Sequence, residues 1–229
     1  MYPDHLALSD RLKAAHGQSW QAIAKAGDFF TGAERVAFVH AARAALSCSL
    51  CSSRLAALSP FSLLGEHADE DGLDPVIVDV IHRIAVDPGR LTRAWFDEVT
   101  RHISQKEYVE IVSVVATSVI IDTLHNAVGL SLARLPAPQD GNPAKQFNTA
   151  AVDGGAWVPM LTGEDTLADT GMPRVPNIAR SLGLVPSALT LFFNTFRPHY
   201  ALKDIDLSIS QAQAEFIAAR VSAMNECFY

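Results

Sequence analysis

The stretch SQKEYVEIVSVVATSVIIDTLHNAVG, residues 104–129, decides the fold class. It is rich in β-branched residues, which favours a strand, but it is too long for an ordinary strand. Ser104 and Glu107 have the spacing of a capping box, in which the serine oxygen and the glutamate satisfy free backbone N–H groups at a helix start. Gly129 is typical of a helix end. The stretch therefore predicts one long helix.

Helix signals recur on both sides of this stretch. Thr31 and Glu34 form a second capping-box pattern, which opens an alanine-rich helix expected to run without interruption to about Leu58. Asp74 and Pro75 give a cap followed by proline at the first helical position. Further helical segments are predicted over residues 91–102, 175–182 and 187–196 and from residue 210 onward. Because no segment shows convincing strand alternation, we expect an all-α fold.

Prolines and glycines interrupt the helical pattern after the first half of the chain. We expect a helical unit over residues 1–135 and a proline- and glycine-rich linker or excursion over residues 136–173. A shorter helical segment is expected over residues 174–229.

Composition excludes several classes of protein. The chain has 229 residues, of which 49% are hydrophobic and 19% charged, so it is too apolar for a disordered protein. The net charge of -7 argues against a nucleic-acid partner. The N-terminal residues 1–11 have no apolar targeting segment, and the most apolar stretch, residues 111–121, is shorter than the roughly 20 residues that span a membrane. We therefore expect a cytoplasmic protein with no membrane partner and with reduced thiols.

Two cysteines lie close together in the first half. Cys48 and Cys51 are three residues apart, which places both thiols on one face of the predicted helix. A Cys-x-x-Cys pair is a redox motif, because one thiolate attacks and the other resolves the mixed disulfide. A zinc site would need four ligands, and no histidine follows the pair at a usual ligand spacing. No metal or cofactor is therefore expected, and the alternative is that both cysteines are small buried apolar residues.

Two Asp-x-x-His motifs suggest another chemistry. Asp79 with His82, and Asp122 with His125, each place a carboxylate and an imidazole one helical turn apart. With a nearby glutamate they resemble the ligands of a dimetal carboxylate bundle, although that site normally uses Glu-x-x-His. Solvent-facing or helix-packing roles are the preferred interpretation.

The last stretch, SQAQAEFIAARVSAMNECFY at residues 210–229, carries a family resemblance. It places Glu215 twelve residues before Cys227 and ends on Tyr229. It resembles the alkylhydroperoxidase D-like family, which includes carboxymuconolactone decarboxylase-type proteins. Members have a glutamate, a helix ending in Val-Ser-Ala-hydrophobic-Asn, and a Cys-x-x-Cys motif with His or Tyr before its second cysteine. Residues 40–51, HAARAALSCSLC, also resemble the cysteine helix of this family, which implies one complete helical unit and the start of a second.

The resemblance implies a peroxidase. A member of the family reduces a hydroperoxide with its cysteines, is regenerated by a second thiol or dithiol protein, and is commonly a homo-oligomer. The second cysteine of the motif attacks the peroxide, a glutamate–histidine relay takes its proton, and the first cysteine resolves the sulfenic acid. By this carry-over Glu215 is the base and Cys227 the resolving cysteine. The attacking residue would follow Tyr229, as a cysteine on a longer chain or as a selenocysteine.

Both sites depart from the family pattern. Cys48 and Cys51 are both present, but Glu34 lies fourteen residues upstream of Cys48 and Leu55 occupies the relay histidine position. His40, eight residues before Cys48, is expected to substitute if its helix turns it inward. The candidate catalytic residues are Cys48, Cys51, Cys227, Glu215, Tyr229 and His40. Two alternatives are a non-enzymatic helical scaffold that has lost the redox residues and a decarboxylase-type lyase that works without the cysteine pair.

Overall fold

The computed structural model describes residues 1–68, 72–162, 175–199 and 208–224. Over these ranges the chain is mostly helical, has no β-strand, and contains one isolated bridge between Val152 and Met160. The prediction of an all-α fold is therefore confirmed. The helices of the described residues are α1 (Asp10–Ile23), α2 (Gly32–Ala44), α3 (Ser49–Ala56), α4 (Pro75–Val86), α5 (Arg93–Val99), α6 (Gln105–Ala127), α7 (Asn177–Leu182), α8 (Pro186–Phe196) and α9 (Gln211–Met224).

Both predicted capping boxes form. The Thr31 backbone N–H donates to the Glu34 carboxylate at 2.8 Å, and the Glu34 N–H donates to the Thr31 hydroxyl at 3.3 Å. The same reciprocal pair, between Ser104 and Glu107, opens α6. Gly129 follows α6 in the left-handed region at φ 71°, a conformation that favours glycine. The long helix predicted from residues 104–129 is confirmed.

The alanine-rich helix breaks where the sequence predicted continuity. It ends at Ala44, passes through a short 3-10 turn at Ala45–Ser47, and becomes extended at Cys48, with φ −73° and ψ 124°. A new helix, α3, then starts at Ser49 and runs at 58° to the first. The prediction of one helix to about Leu58 was therefore wrong. Serine and cysteine are weak helix formers, and the run from Ser47 to Ser49 offers no strong one to hold the helix against this bend.

The core is built around α6. This helix packs against α1, α2, α4, α7 and α8. Fully buried side chains include Phe38, Ile81, Phe96, Ile111 and Ile121, and burying each stabilises the fold by about 1.5–3 kcal/mol.

Helix α8, from the shorter helical segment predicted over residues 174–229, joins the same core. Val185 and Leu191 belong to the main cluster of buried hydrophobic residues. The Ser113 hydroxyl of α6 donates to the Ala188 carbonyl of α8 at 2.7 Å, so a buried hydrogen bond ties the two helices together.

The proline- and glycine-rich excursion lies against the helices without forming any of its own over residues 128–162. The Gln139 N–H donates to the Ala24 carbonyl at 2.8 Å, and the Lys145 N–H donates to the Asp28 carbonyl at 2.7 Å. Further along, the Asn148 N–H donates to the Leu184 carbonyl at 2.9 Å. These bonds hold the excursion against the α1–α2 and α7–α8 connections.

Helix α6 is long and apolar enough to cross a membrane, judged by length and composition alone. The sequence prediction counted only residues 111–121, whereas the helix has 23 residues. However, 61% of its most apolar window is buried, and the core helix of a folded domain gives the same signal. Helices α2 and α3 meet the criterion only when they are taken together as one bent span.

Candidate functional site

The break between α2 and α3 determines the position of the two thiols. Cys48 is the N-cap residue of α3, and Cys51 is the third residue of that helix. The first N–H groups of a helix have no partner within the helix and carry its positive end, which favours a thiolate beside them. Cys48 is partly exposed, whereas Cys51 is only 6% exposed. The accessible thiol is therefore the one at the helix start.

Two histidines complete a four-residue group with these thiols. His67, from the connection after α3, places its Nδ1 3.4 Å from the Cys48 sulfur and 3.8 Å from the Cys51 sulfur. His82, from α4, places its Nδ1 3.3 Å from the Cys51 sulfur. One ligand atom from each residue lies within 4.8 Å of the other three. We call Cys48, Cys51, His67 and His82 the thiol–imidazole cluster.

Asp79 of α4 contacts His67 on the ring nitrogen that does not face the thiols. Its Oδ1 lies 3.0 Å from His67 Nε2 and accepts from Arg54 at 2.6 Å. Its Oδ2 accepts from Arg83 at 2.8 Å and from the Trp95 indole at 3.2 Å. A carboxylate on Nε2 fixes the proton of His67 there and turns the Nδ1 lone pair toward the thiols.

The surroundings make the two thiols chemically different. Burial disfavours the Cys48 thiolate, but the N–H groups of Cys51 and Leu50 and the His67 ring outweigh burial and lower the pKa of Cys48. Burial, reinforced by Cys48, raises the pKa of Cys51 to about 12. Cys48 is thus the thiol that ionises first, and Cys51 keeps its proton until a neighbouring base takes it.

The pKa values of the two histidines and of Asp79 are also shifted, each in its own direction. Burial opposes protonation of His67, but the hydrogen bonds that the ring makes with the Asp79 carboxylate and the Cys48 sulfur outweigh it and raise the pKa of that ring. Burial, followed by the charge of His67, lowers the pKa of His82 to about 4. For Asp79, hydrogen bonds from His67 and from Arg83 overcome burial and hold the pKa well below its usual range. The cluster thus combines one readily charged imidazole with one that stays neutral.

A cavity of about 680 Å³ borders the outer side of the cluster. His67, Asp79, Arg54 and Trp95 contribute to its wall, together with apolar side chains such as Val99. The residues that line it do not include either thiol. The cavity therefore borders the cluster at His67, beside Asp79, whereas Cys48 is partly exposed without lining the cavity.

The structure brings together only part of the predicted catalytic set. Cys48 and Cys51 belong to the cluster, but His40 is exposed on α2 and does not join it. Glu215 lies on α9, where it accepts a hydrogen bond from Gln211 at 2.6 Å. Cys227 and Tyr229 lie outside the described residues.

His67 was missed by the sequence prediction, and His82 was interpreted as a solvent-facing or helix-packing residue. The ligand pattern is Cys-x2-Cys-x15-His-x14-His, in which neither histidine follows the pair at a common ligand spacing. The sequence prediction considered local spacing alone, and the fold brings two histidines beside the thiols from outside that spacing. The Asp79–His82 motif was the available signal, but it was considered only for a dimetal carboxylate site, and helix packing was preferred.

The second Asp-x-x-His motif does not belong to this site. Both carboxylate oxygens of Asp122 accept from Arg43, at 2.7 and 2.8 Å. His125 directs its Nδ1 to the Ser131 carbonyl at 2.8 Å. These contacts support the helix-packing interpretation of Asp122 and His125.

Comparison of the chain with protein-family models, curated proteins and solved structures found no match. The resemblance to the alkylhydroperoxidase D-like family therefore rests on the motifs quoted above. Two thiols beside two imidazoles can exchange electrons as a dithiol, and they can also bind a cation that prefers sulfur and nitrogen.

Proposed function

We propose that the protein is a thiol-dependent hydroperoxide reductase that cycles Cys48 and Cys51 between dithiol and disulfide. One observation carries this proposal: the Cys48 sulfur lies at the start of α3, 3.4 Å from His67 Nδ1. The other nitrogen of that ring is held by Asp79 at 3.0 Å. A thiol, an imidazole and an orienting carboxylate form the arrangement that activates a cysteine nucleophile.

The geometry favours Cys48 as the attacking thiol. Cys48 is the more exposed of the two and has the lowered pKa, whereas Cys51 is buried and has a raised pKa. This order reverses the one implied by the family resemblance, in which the second cysteine attacks. Cys51 is then the resolving residue.

The first step consumes the peroxide. The Cys48 thiolate attacks one peroxide oxygen, so that an S–O bond forms while the O–O bond breaks. The departing alkoxide takes a proton from the His67 imidazolium and leaves as an alcohol, or as water when the substrate is hydrogen peroxide. Cys48 becomes a sulfenic acid, and the peroxide is reduced by two electrons.

The second step closes the disulfide. His67 Nδ1, which the first step leaves neutral and which lies 3.8 Å from the Cys51 sulfur, accepts the Cys51 proton. The Cys51 thiolate then attacks the Cys48 sulfur and displaces hydroxide, which is protonated to water. An external dithiol protein exchanges with the disulfide, becomes oxidised and restores both thiols. This cycle requires a reducing compartment, in agreement with the cytoplasmic location expected from the sequence.

The test is a thiol titration of the full chain, first reduced and freed of metal with a chelator. We expect one equivalent of cumene hydroperoxide to remove two thiols per chain and to lower the intact mass by about 2 Da. Peptide mapping should place the new disulfide between Cys48 and Cys51. In Cys51→Ser the reaction should stop at a sulfenic acid on Cys48, which dimedone traps.

Two further variants make the test specific. Cys48→Ser should abolish thiol loss at this pair, whereas Ser53→Ala, on the exposed side of α3, should react as the unmodified chain does. Disulfide formation that proceeds equally well in Cys48→Ser, or a reduced pair that survives excess peroxide, would overturn the proposal.

A further inference from the structure

We infer that the thiol–imidazole cluster is also a tetrahedral binding site for Zn²⁺, and that bound zinc protects the dithiol from oxidation. The binding half of this inference rests on the geometry of Cys48, Cys51, His67 and His82 alone. The protective half rests on the proposed dithiol function.

The distances match a zinc site. Zinc–sulfur bonds of about 2.3 Å and zinc–nitrogen bonds of about 2.0–2.1 Å, at a tetrahedral angle, separate sulfur from nitrogen by about 3.6 Å. Three sulfur–nitrogen distances in the cluster are 3.3, 3.4 and 3.8 Å, close to this value. One ligand atom from each of the four residues lies within 4.8 Å of the others, so small side-chain movements would bring all four to bonding distance of one ion.

The residues that hydrogen-bond to the ligand His67, and to its partner Asp79, also fit a metal site. A histidine that binds zinc usually donates its other N–H to a carboxylate or a carbonyl, which orients the ring. Asp79 makes this contact with His67 Nε2 at 3.0 Å. Arg54 and Arg83 fix the carboxylate in turn, at 2.6 and 2.8 Å. The four ligands come from three separate segments, so a bound ion would tie α3, the connection after it and α4 together.

Charge and ligand type select the cation. Two thiolates and two neutral imidazoles balance a divalent ion, and this mixture of soft and borderline ligands favours zinc over the oxygen-preferring Mg²⁺ and Ca²⁺. His82 is placed to supply the fourth ligand. Its Nε2 is buried without a hydrogen-bond partner among the described residues, whereas its Nδ1 faces the cluster.

Zinc binding and disulfide formation exclude each other. The ion needs both sulfurs as thiolates, whereas disulfide formation removes their negative charge and draws the two sulfurs to about 2.05 Å of each other. The zinc-bound chain should therefore resist peroxide, and the oxidised chain should release its ion. The site would respond to both zinc and oxidant.

The binding test uses the reduced, metal-free full chain and Zn²⁺ in competition with a chromophoric chelator. We expect one zinc ion per chain. Co²⁺ in place of zinc should give the sulfur-to-metal charge-transfer bands and the intense visible bands of a tetrahedral site. Cys48→Ser and His82→Gln should each weaken zinc affinity by more than about tenfold. His102→Gln, an exposed histidine that lines the neighbouring cavity, is the matched control and should bind as the unmodified chain does.

The outcomes separate the two proposals. Equal zinc affinity in all variants would show adventitious surface binding and overturn the site. Absence of binding by a metal-free chain that still forms the Cys48–Cys51 disulfide would also overturn the site, while the peroxidase proposal would stand. Site-specific binding by a chain that does not react with peroxide would leave a metal site and overturn the protective half. Site-specific binding that slows peroxide-driven thiol loss at least about tenfold supports both halves.

Discussion

Asp79 provides the sharpest test of how the site is held together. Its carboxylate accepts hydrogen bonds from Arg54, Arg83 and the Trp95 indole, and pairs with His67. The substitution Asp79→Asn keeps the size of the side chain but removes its charge. Two guanidinium groups, whose side chains are each 10% exposed, then lose this anionic partner.

The free energy of unfolding lost in Asp79→Asn should lie between the values for a buried and an exposed ion pair. Removing one partner of a fully buried ion pair costs about 3–5 kcal/mol, because the remaining charge stays desolvated. An exposed pair is worth about 0–1 kcal/mol. Asp79 is 25% exposed, so its arginine contacts lie between these limits. We expect Asp79→Asn to lower the free energy of unfolding by about 2–3 kcal/mol, which for a chain of this size lowers Tm by about 5–10 °C.

The assay is urea unfolding followed by circular dichroism, with chelator and reductant present so that neither metal nor disulfide contributes. The matched control is Asp97→Asn, which breaks an exposed pair with Arg93 on α5, where the two side chains are 49% and 56% exposed. That variant should change stability by less than about 0.5 kcal/mol. If Asp79→Asn and Asp97→Asn destabilise the chain equally, Asp79 is not the electrostatic anchor of the site.

Two further predictions test the close packing at a glycine and the burial of a neutral histidine. A Cβ at Gly32 would lie 2.0 Å from the Ala24 carbonyl oxygen, so Gly32→Ala should destabilise the chain by about 1–3 kcal/mol or more. A Cβ at Gly17, on α1, would have no heavy atom within 4 Å. Gly17→Ala should therefore raise the free energy of unfolding by about 0.5–1 kcal/mol. Equal urea midpoints for Gly32→Ala and Gly17→Ala would refute this reasoning. Burial and the neighbouring His199 ring lower the pKa of His16 to about 4, so the unfolded chain binds this proton more readily and stability falls as the pH drops from 6.5 toward 4. Between pH 7 and pH 5 the loss should be at most about 2 kcal/mol and smaller in His16→Gln, whereas an identical pH dependence in the variant would contradict it.

The helices could be predicted from the sequence where their signals are local. The capping boxes at Thr31 and Ser104, and the Asp74–Pro75 start, each lie within a few residues of the backbone groups that they satisfy. Such signals depend little on the rest of the fold. The break at Cys48 could not be predicted in this way, because the alanine-rich sequence before it favours a continuous helix. Beyond the break Cys51 contacts His82 of α4, a contact between distant segments that local helix propensity does not describe.

The cluster was predictable only in its cysteine half. Cys48 and Cys51 are recognisable by their spacing, but His67 lies in an irregular connection where no periodicity predicts the direction of a side chain. His82 lies three residues after Asp79 on the same helix, a spacing that the sequence shows. However, only His82 belongs to the thiol–imidazole cluster. Asp79 instead lies behind His67, which comes from the preceding connection. Contacts between distant segments decide this arrangement, and spacing along one helix carries no information about them.

The helix break makes the proposed chemistry feasible. In an uninterrupted helix, the N–H groups of Leu50 and Cys51 would be bonded to carbonyls one turn earlier, and Cys48 would sit beside neutral, satisfied backbone. Because the chain is extended at Cys48 and the helix restarts at Ser49, those N–H groups instead lie in the first turn of α3, where they favour a thiolate at Cys48. The same bend directs Cys51 toward α4, where His82 meets it. One local departure from helix therefore both favours the Cys48 thiolate and assembles the four ligand atoms, which is why dithiol chemistry and zinc binding are inferred for the same place.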